Sequence, residues 1–278
     1  MIPVALCADD YGLSPGVDLG ILALATQSRI TALSCMTASP RWPQAATGLK
    51  PLFGAVDIGL HFTLTQLAPL GQMPRLAPGG IFPPMGRLYG QAALRAVDAD
   101  EIAQELERQL RAFVAATGRE PDFLDGHHHV HQLPVVRKVV ARIWDKRTGW
   151  IRNTATPFSS ILARGVAQPR AAVLAFYGQA ARRVWTSSGI TTNSDFAGVR
   201  NFDEREPYRV LMRRYLTGAR PGLLIMCHPG RPDEETGKID FVTAPRADEL
   251  AYLSGADFPA DLTGAGCELV RLSARAGR

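Results

Sequence analysis

Short apolar runs alternate with helical patterns along most of the chain, and this alternation restricts the fold more than any other feature. The clearest runs of strand length lie at 2–8, 31–37, 55–60 and 223–227. Helical periodicity is strongest at 100–117, for which Asp98 or Asp100 is the expected cap. The composition is uniform, so we expect a single domain over residues 1–278. Such alternation favours parallel strands, in a (β/α) barrel or an open doubly wound sheet.

The segment 65–90 interrupts this alternation. It is rich in proline and glycine and shows little periodicity. Long segments of this kind inside a compact domain tend to be functional lids or to be disordered. We therefore predict a substrate-covering loop at 65–90, with disorder as the alternative.

Several side chains that can bind metal or carry protons lie at or just after the predicted strands. In both parallel architectures the carboxyl ends of the strands form the reactive edge of the sheet. The residues expected there are Asp9, Asp10, His61, Asp125, His127 and His228.

A histidine cluster makes a metal site the leading interpretation of this edge. Four of the six histidines lie within 127–131, preceded and followed by apolar residues. Imidazole and carboxylate are the usual ligands of zinc and related divalent metals. If the stretch is extended, Asp125, His127, His129 and His131 share one face, because side chains alternate along a strand. Spacing alone leaves His127 and His129 open as the ligand, and a weak surface metal trap is the alternative.

The adjacent acids Asp9 and Asp10 suggest a division of labour. Side chains of neighbouring strand residues point in different directions, so one acid can hold a metal while the other accepts a proton. The alternative is a cap for the helix that begins near Ser14 or Pro15. His228 follows a buried run and precedes a proline, which suits a positioned proton donor for a leaving amine, or else a structural histidine.

A metal held by one carboxylate and two imidazoles keeps positions open for water and substrate. Such a metal activates water and polarises a carbonyl, which indicates hydrolysis. A metal-dependent lyase or aldolase and a non-catalytic sugar-binding protein are the alternatives. The polar stretch around Asn193 and Asp195 suits a sugar contact or a simple turn.

Further functional classes lack support in the sequence. The net charge is +5, yet no lysine-rich run or nucleic-acid motif is present, so we expect no nucleic-acid partner. Serine-hydrolase, nucleotide-loop and HExxH motifs are absent. No apolar run approaches the ~20 residues of a membrane span and no leader pattern opens the chain, so we expect a cytoplasmic protein without stable membrane insertion.

Four motifs in order resemble the YdjC-like carbohydrate deacetylases, a family that includes chitooligosaccharide and hopanoid-associated deacetylases. They are Ala8-Asp9-Asp10-Tyr11-Gly12-Leu13-Ser14, Ile58-Gly59-Leu60-His61-Phe62-Thr63-Leu64-Thr65, Asp125-Gly126-His127-His128-His129-Val130-His131 and Met226-Cys227-His228-Pro229. The resemblance implies a distorted (β/α) barrel of TIM-like type, often dimeric. It also implies removal of an N-acetyl group from an N-acetylated amino sugar by metal-activated water.

Position by position, the resemblance implies Asp10, His61 and His127 as ligands of one divalent metal, with Mg favoured and Zn or Co as alternatives. It implies Asp9 as the general base and His228 as the acid. The remaining candidates for supporting or substrate contacts are Asp125, His129, His131, Asn193 and Asp195.

Overall fold

The structure, a computed structural model, describes residues 1–145, 147–201, 206–231, 233–239 and 244–275. Within these residues the strands are β1 (Ile2–Tyr11), β2 (Ala32–Cys35), β3 (Asp57–Phe62), β4 (Phe123–Gly126), β5 (Trp150–Ile151), β6 (Thr191–Thr192), β7 (Asp195–Ala197), β8 (Leu223–Cys227) and β9 (Cys267–Leu269). The α-helices are α1 (Pro15–Thr26), α2 (Trp42–Ala45), α3 (Met85–Ala93), α4 (Ala99–Thr117), α5 (Val136–Trp144), α6 (Phe158–Arg164), α7 (Gln168–Ser187), α8 (Tyr208–Leu216), α9 (Glu234–Ile239), α10 (Ala244–Ser254) and α11 (Asp257–Gly264).

All described strand pairs are parallel and form one curled sheet. Its order is β6-β5-β4-β3-β2-β1-β8-β7, and β9 adds to β1. The expected barrel is thus confirmed in distorted form, as a half-barrel with helices around it.

The two edges of this sheet meet through a side chain and not through a strand ladder. Strands β6 and β7 are separated in sequence only by Asn193 and Ser194, which brings the edges together. The buried amide of Asn193 accepts a hydrogen bond from Asn153 N (2.7 Å). It donates to the backbone oxygens of Asn153 (2.7 Å) and Asp195 (2.8 Å). Asn193 therefore joins the end of β5 to the start of β7.

This bridge predicts a structural effect for Asn193→Ala. We expect its free energy of unfolding to fall by at least about 2 kcal/mol, because each buried polar group left unpaired costs about 1–3 kcal/mol. Chemical denaturation measures the loss, and Ser194→Ala at the exposed neighbouring position should change it by only ~0.5 kcal/mol. A normal stability with weakened sugar binding would instead make Asn193 a substrate contact.

The strands that carry the site are positioned by close packing around β3. Gly59 of β3 lies against the ring of Phe123, and a Cβ at Gly59 would overlap that ring. The Phe123 ring stacks on Trp150 of β5, with centroids 4.1 Å apart. A side chain at position 59 would separate β3 from β4, so glycine fixes the spacing between two strands whose ends carry candidate ligands.

The predicted cap of α4 is confirmed, and the predicted loop at 65–90 is shorter than expected. Asp98 caps α4 by accepting hydrogen bonds from Asp100 N and Glu101 N, as expected. The predicted loop 65–90 ends earlier, because α3 begins at Met85 with Pro84 as its N-cap residue. Among the described residues, no helix combines the length and apolarity that a membrane span requires.

Candidate metal centre and active site

Register brings the polar strand ends together. His61 of β3 pairs beside Asp125 of β4, and Ala8 of β1 pairs beside Cys227 of β8. Asp9 and His228 therefore follow at one level on neighbouring strands. At Asp10 the pairing of β1 with β2 is irregular and the backbone has φ +70, a conformation that aspartate tolerates better than most residues. The irregularity turns Asp10 toward the ends of β3 and β4.

Three buried side chains converge at this point. Asp10 Oδ1 lies 3.0 Å from His127 Nδ1 and 3.3 Å from His61 Nε2. The ligand-type atoms of these residues all lie within 4.8 Å of one another. One carboxylate from β1, one imidazole from β3 and one imidazole directly after β4 thus face a common centre.

The outer hydrogen bonds of the two histidines determine what this centre can hold. His61 Nδ1 lies 2.6 Å from Asp125 Oδ1, and His127 Nε2 lies 2.6 Å from Gln66 Oε1. Both partners are acceptors, so those nitrogens carry the protons and donate. In neutral rings the opposite nitrogens are then lone pairs that face a carboxylate oxygen. Such an arrangement repels itself unless protons or a cation lie between the atoms, and a divalent metal fits it.

The pKa shifts of His61 and Asp10 also show that this centre favours positive charge. Burial lowers the pKa of His61, but Asp125 and Asp10 outweigh burial and raise it to about 10. Burial raises the pKa of Asp10, yet Arg246 and His127 hold it well below its usual range. Arg246 donates to Asp10 Oδ2 at 2.6 Å, so Oδ1 is the atom left for the centre. The carboxylate is therefore ionised and oriented.

Asp9 belongs to a buried ion-pair network that reaches the candidate metal centre through Asp125. Arg152 donates to both carboxylate oxygens of Asp9, at 2.6 Å and 2.5 Å, and also pairs with Asp125 Oδ2 at 2.6 Å. Burial raises the pKa of Asp9, but the charge and hydrogen bonds of Arg152 overcome it and lower the pKa to about 2. Cys7, Asp9 and Asp125 also have the spacing of a metal site, but the Arg152 guanidinium supplies the positive charge there.

His228 lies beside Asp9. Its Nε2 is 3.9 Å from Asp9 Oδ2, and its backbone N–H donates to Glu249 Oε2 at 2.5 Å. Glu249 is held in turn by Arg200 at 3.2 Å. The His228 backbone is therefore fixed, and its imidazole lies next to the carboxylate that is not directed at the candidate metal position.

The expectation of an extended histidine stretch is wrong. β4 ends at Gly126, and a 3-10 helix spans His127–Gln132, with His128 and His129 at φ +52 and +56. The alternating histidines consequently do not share a face. His127 meets Asp10, His131 donates from Nε2 to the Arg152 carbonyl (2.9 Å), and the His129 ring packs edge-on with Phe196. Burial lowers the pKa of His131 to about 4, so it is neutral.

The start of α1 and the polar stretch near β7 are each held by local contacts. Ser14, and neither of the adjacent acids of β1, caps α1, because its side chain accepts from Val17 N. Asp195 pairs with Arg164 at 2.5 Å. Together with the bridging contacts of Asn193, this gives the polar stretch near β7 structural partners.

Sequence reasoning missed four side chains that shape the site. Arg152 carried a usable signal, because it is a charged residue directly after a short apolar strand, where the other candidates had been found. Ser34, which donates to Asp125, resembles any small residue of a buried strand. Gln66 directly follows the motif at 58–65 but was assigned only to the predicted covering loop, and Arg246 lies outside all four motifs.

Comparisons with known proteins agree with the fold and the motifs. A family model described as “YdjC-like protein” matches residues 3–263. Chitooligosaccharide deacetylases of Salmonella paratyphi B (strain ATCC BAA-1250 / SPB7) and Salmonella typhi are each 36% identical over 141 residues, 50% of this chain and 54% of the relative. The chain thus spans about half the length of the curated relatives it matches.

Solved structures extend the likeness of fold to the whole chain. A protein of Enterococcus faecalis V583, provisionally named a cellobiose-phosphate cleavage protein, has a TM-score of 0.78 at 20% identity, over 99% of this chain and 98% of that chain. The Xyl-CE4 domain of a multidomain xylanase from the hindgut metagenome of Trinervitermes trinervoides has a TM-score of 0.51 at 9% identity, over 99% and 91%. At such identities these structures are similar in fold alone.

Proposed function

Because the chain belongs to the YdjC-like protein family, we propose that it is a metal-dependent carbohydrate deacetylase that removes the N-acetyl group from a chitooligosaccharide or a related N-acetylated amino sugar. The observation that carries the proposal is the convergence of Asp10, His61 and His127 beside the Asp9 and His228 pair. A cation position and a pair of proton-transfer groups side by side suit metal-assisted amide hydrolysis.

Asp10, His61 and His127 would hold the metal, through Oδ1, Nε2 and Nδ1. When bound, a divalent cation acts as a Lewis acid that polarises the acyl carbonyl and makes water easier to deprotonate. Asp125 and Gln66 keep the two imidazoles in the required tautomers, and Arg246 keeps the Asp10 carboxylate oriented. The chain therefore supplies a centre whose ligands are fixed before substrate arrives.

Asp9 and His228 divide the proton transfers in this proposal. Ionised Asp9 accepts a proton from the water that attacks the acyl carbon, and His228 donates a proton to the nitrogen as the C–N bond breaks. The products are acetate and the free amine. The distance of 3.9 Å between the two groups suits action on opposite ends of one bond.

The family resemblance and the set of donor atoms favour different metal ions. The resemblance to the deacetylases favours Mg, whereas two imidazoles and a single carboxylate are a donor set more typical of Zn or Co. A metal screen is therefore part of the functional test.

The segment that begins at Thr65 is proposed to cover the substrate. Thr65 Oγ1 lies 2.9 Å from His128 Nδ1, and Gln66 contacts His127. Tyr89 of α3 donates to the His128 carbonyl at 2.7 Å. Through these contacts both ends of the 65–90 segment pack against the histidine cluster. A sugar chain would approach the proposed metal centre there.

Acetate release tests the proposal. The substrates are N-acetylglucosamine, chitobiose, a nucleotide-linked and a lipid-linked N-acetylglucosamine, each tested after chelation and after readdition of Mg, Zn or Co. We expect at least one to release acetate in a manner that chelation abolishes and a metal restores. No release from a protein shown to hold metal would reject this substrate class and favour a lyase or a non-catalytic binding protein.

A further inference from the structure

Gln66 links the proposed covering segment to the metal centre. Its side-chain Oε1 lies 2.6 Å from His127 Nε2, and its Nε2 donates to the Ile239 carbonyl at 3.5 Å. Its backbone has φ +66, which a non-glycine residue adopts only when its surroundings hold it there. Gln66 thus contacts both a candidate ligand and the end of α9, and its own backbone is strained.

The two contacts of the Gln66 amide determine which ring nitrogen of His127 carries the proton. The Ile239 carbonyl can only accept, so the amide nitrogen of Gln66 faces it and the amide oxygen faces His127. That oxygen also can only accept, so the His127 Nε2 carries the proton. In the neutral ring, Nδ1 is then the free lone pair, and Nδ1 is the atom 3.0 Å from Asp10 Oδ1.

His61 and His127 therefore have outer hydrogen-bond partners of different charge. His61 has a carboxylate partner, Asp125, which is itself paired with Arg152. His127 has a neutral amide, supplied from a segment outside the strands. An outer partner of a metal-binding histidine orients the ring and raises its basicity, and a carboxylate does so more strongly than an amide.

We propose that Gln66 is the positioning residue that selects Nδ1 of His127 as the metal donor, so that metal affinity depends on the position of the segment that starts at Thr65. This inference rests on the proposed metal centre. It adds that a residue of the covering segment, outside the ligand set, sets the strength of metal binding. Movement of this segment away from His127 would release the Nε2 proton donor and weaken the centre.

Metal affinity of the metal-free protein, titrated with Zn and Co by calorimetry, tests the proposal. Gln66→Leu should bind about 10–100-fold more weakly than the wild type, the usual cost of an outer partner. Gln66→Glu also accepts from Nε2 and should bind at least as tightly as the wild type. Gln91→Leu, at a half-buried glutamine in α3, is the matched control and should bind as the wild type does.

A second readout separates positioning from general loss of structure. Nitrogen-15 histidine spectra of the zinc-loaded proteins report which nitrogen of His127 carries the proton; Nε2 should carry it in the wild type and in Gln66→Glu, whereas Gln66→Leu should show a mixture of the Nε2–H and Nδ1–H forms. Equal affinity and an unchanged tautomer in Gln66→Leu would overturn the inference while leaving the metal centre intact. A wild type that binds no metal would reject the proposed function itself.

Discussion

His61→Ala is expected to lose bound metal and acetate release together while remaining folded. The substitution removes one of the three proposed ligands, and loss of an outer partner alone already costs about 10–100-fold in metal affinity. We therefore expect a decrease of more than about 100-fold. The fold should survive, because Asp125 keeps its pairing with Arg152 and its hydrogen bond from Ser34. Metal content after dialysis, thermal unfolding and acetate release measure the three consequences.

His131→Gln is the matched control for this experiment. His131 is equally buried and belongs to the same motif, but its Nε2 donates to the Arg152 carbonyl, a bond that a glutamine amide can replace. This variant should keep its metal. If His61→Ala retained full metal content, or if His131→Gln lost as much metal as His61→Ala, the assignment of His61 as a ligand would be wrong.

The strand ends could be predicted because buried strands appear in the sequence as short apolar runs. The runs before Asp9 and His228 are short and continuously apolar, as is typical of buried parallel strands, and the run before His61 is interrupted only by Asp57. Parallel strands in one sheet present their carboxyl ends at one edge, so these residues could be placed together without knowledge of the strand order. The register that sets His61 beside Asp125 follows from packing, including Gly59 against Phe123.

The ligand choice within the histidine cluster could not be derived in this way. Alternation would have put His127, His129 and His131 on one face, but the chain leaves the strand after Gly126 and takes left-handed conformations at His128 and His129. Histidine is several-fold enriched in that region of backbone space, but only a few per cent of non-glycine residues adopt it, so two left-handed histidines in succession could not be predicted. Only the family resemblance favoured His127, the histidine that the structure sets against Asp10.

The long-range charge partners were beyond sequence reasoning for a different reason. Arg152 is 143 positions from Asp9 and Arg246 is 236 positions from Asp10, and no local pattern specifies such a pairing. Buried charges must be paired, so each aspartate implied that some cation exists. The identity of that cation depends on the strand order, which became clear only in the folded chain.

Asp9→Asn is expected to reduce kcat by about 10²–10⁴-fold while leaving metal binding and KM close to those of the wild type, the range that general acid–base catalysis contributes. Asp10, and not Asp9, is directed at the proposed metal position, so the change should spare metal binding. Asparagine is similar in size and keeps an oxygen that can accept from Arg152. Acetate release and metal content of the purified variant check both halves of this expectation.

The environment of Asp9 opposes its role as a general base. Although burial raises its pKa, Arg152 lowers it to about 2, so the carboxylate is fully ionised near neutral pH but is a weak base. Turnover with Asp9 as the base requires that this carboxylate gain proton affinity when substrate enters, for example as Arg152 shifts toward Asp125. In the competing assignment His228 accepts the proton and Asp9 only orients it across 3.9 Å.

Two controls distinguish these roles. Asp195→Asn removes a buried carboxylate that is paired with Arg164, and it should lower stability without a comparable loss of kcat. His228→Gln should be as inactive as Asp9→Asn if the two residues transfer different protons. Near-normal turnover in Asp9→Asn, together with an inactive His228→Gln, would remove Asp9 from the base role and assign the proton acceptor to His228. A loss of stability alone in Asp9→Asn would restrict Asp9 to balancing the buried charge of Arg152.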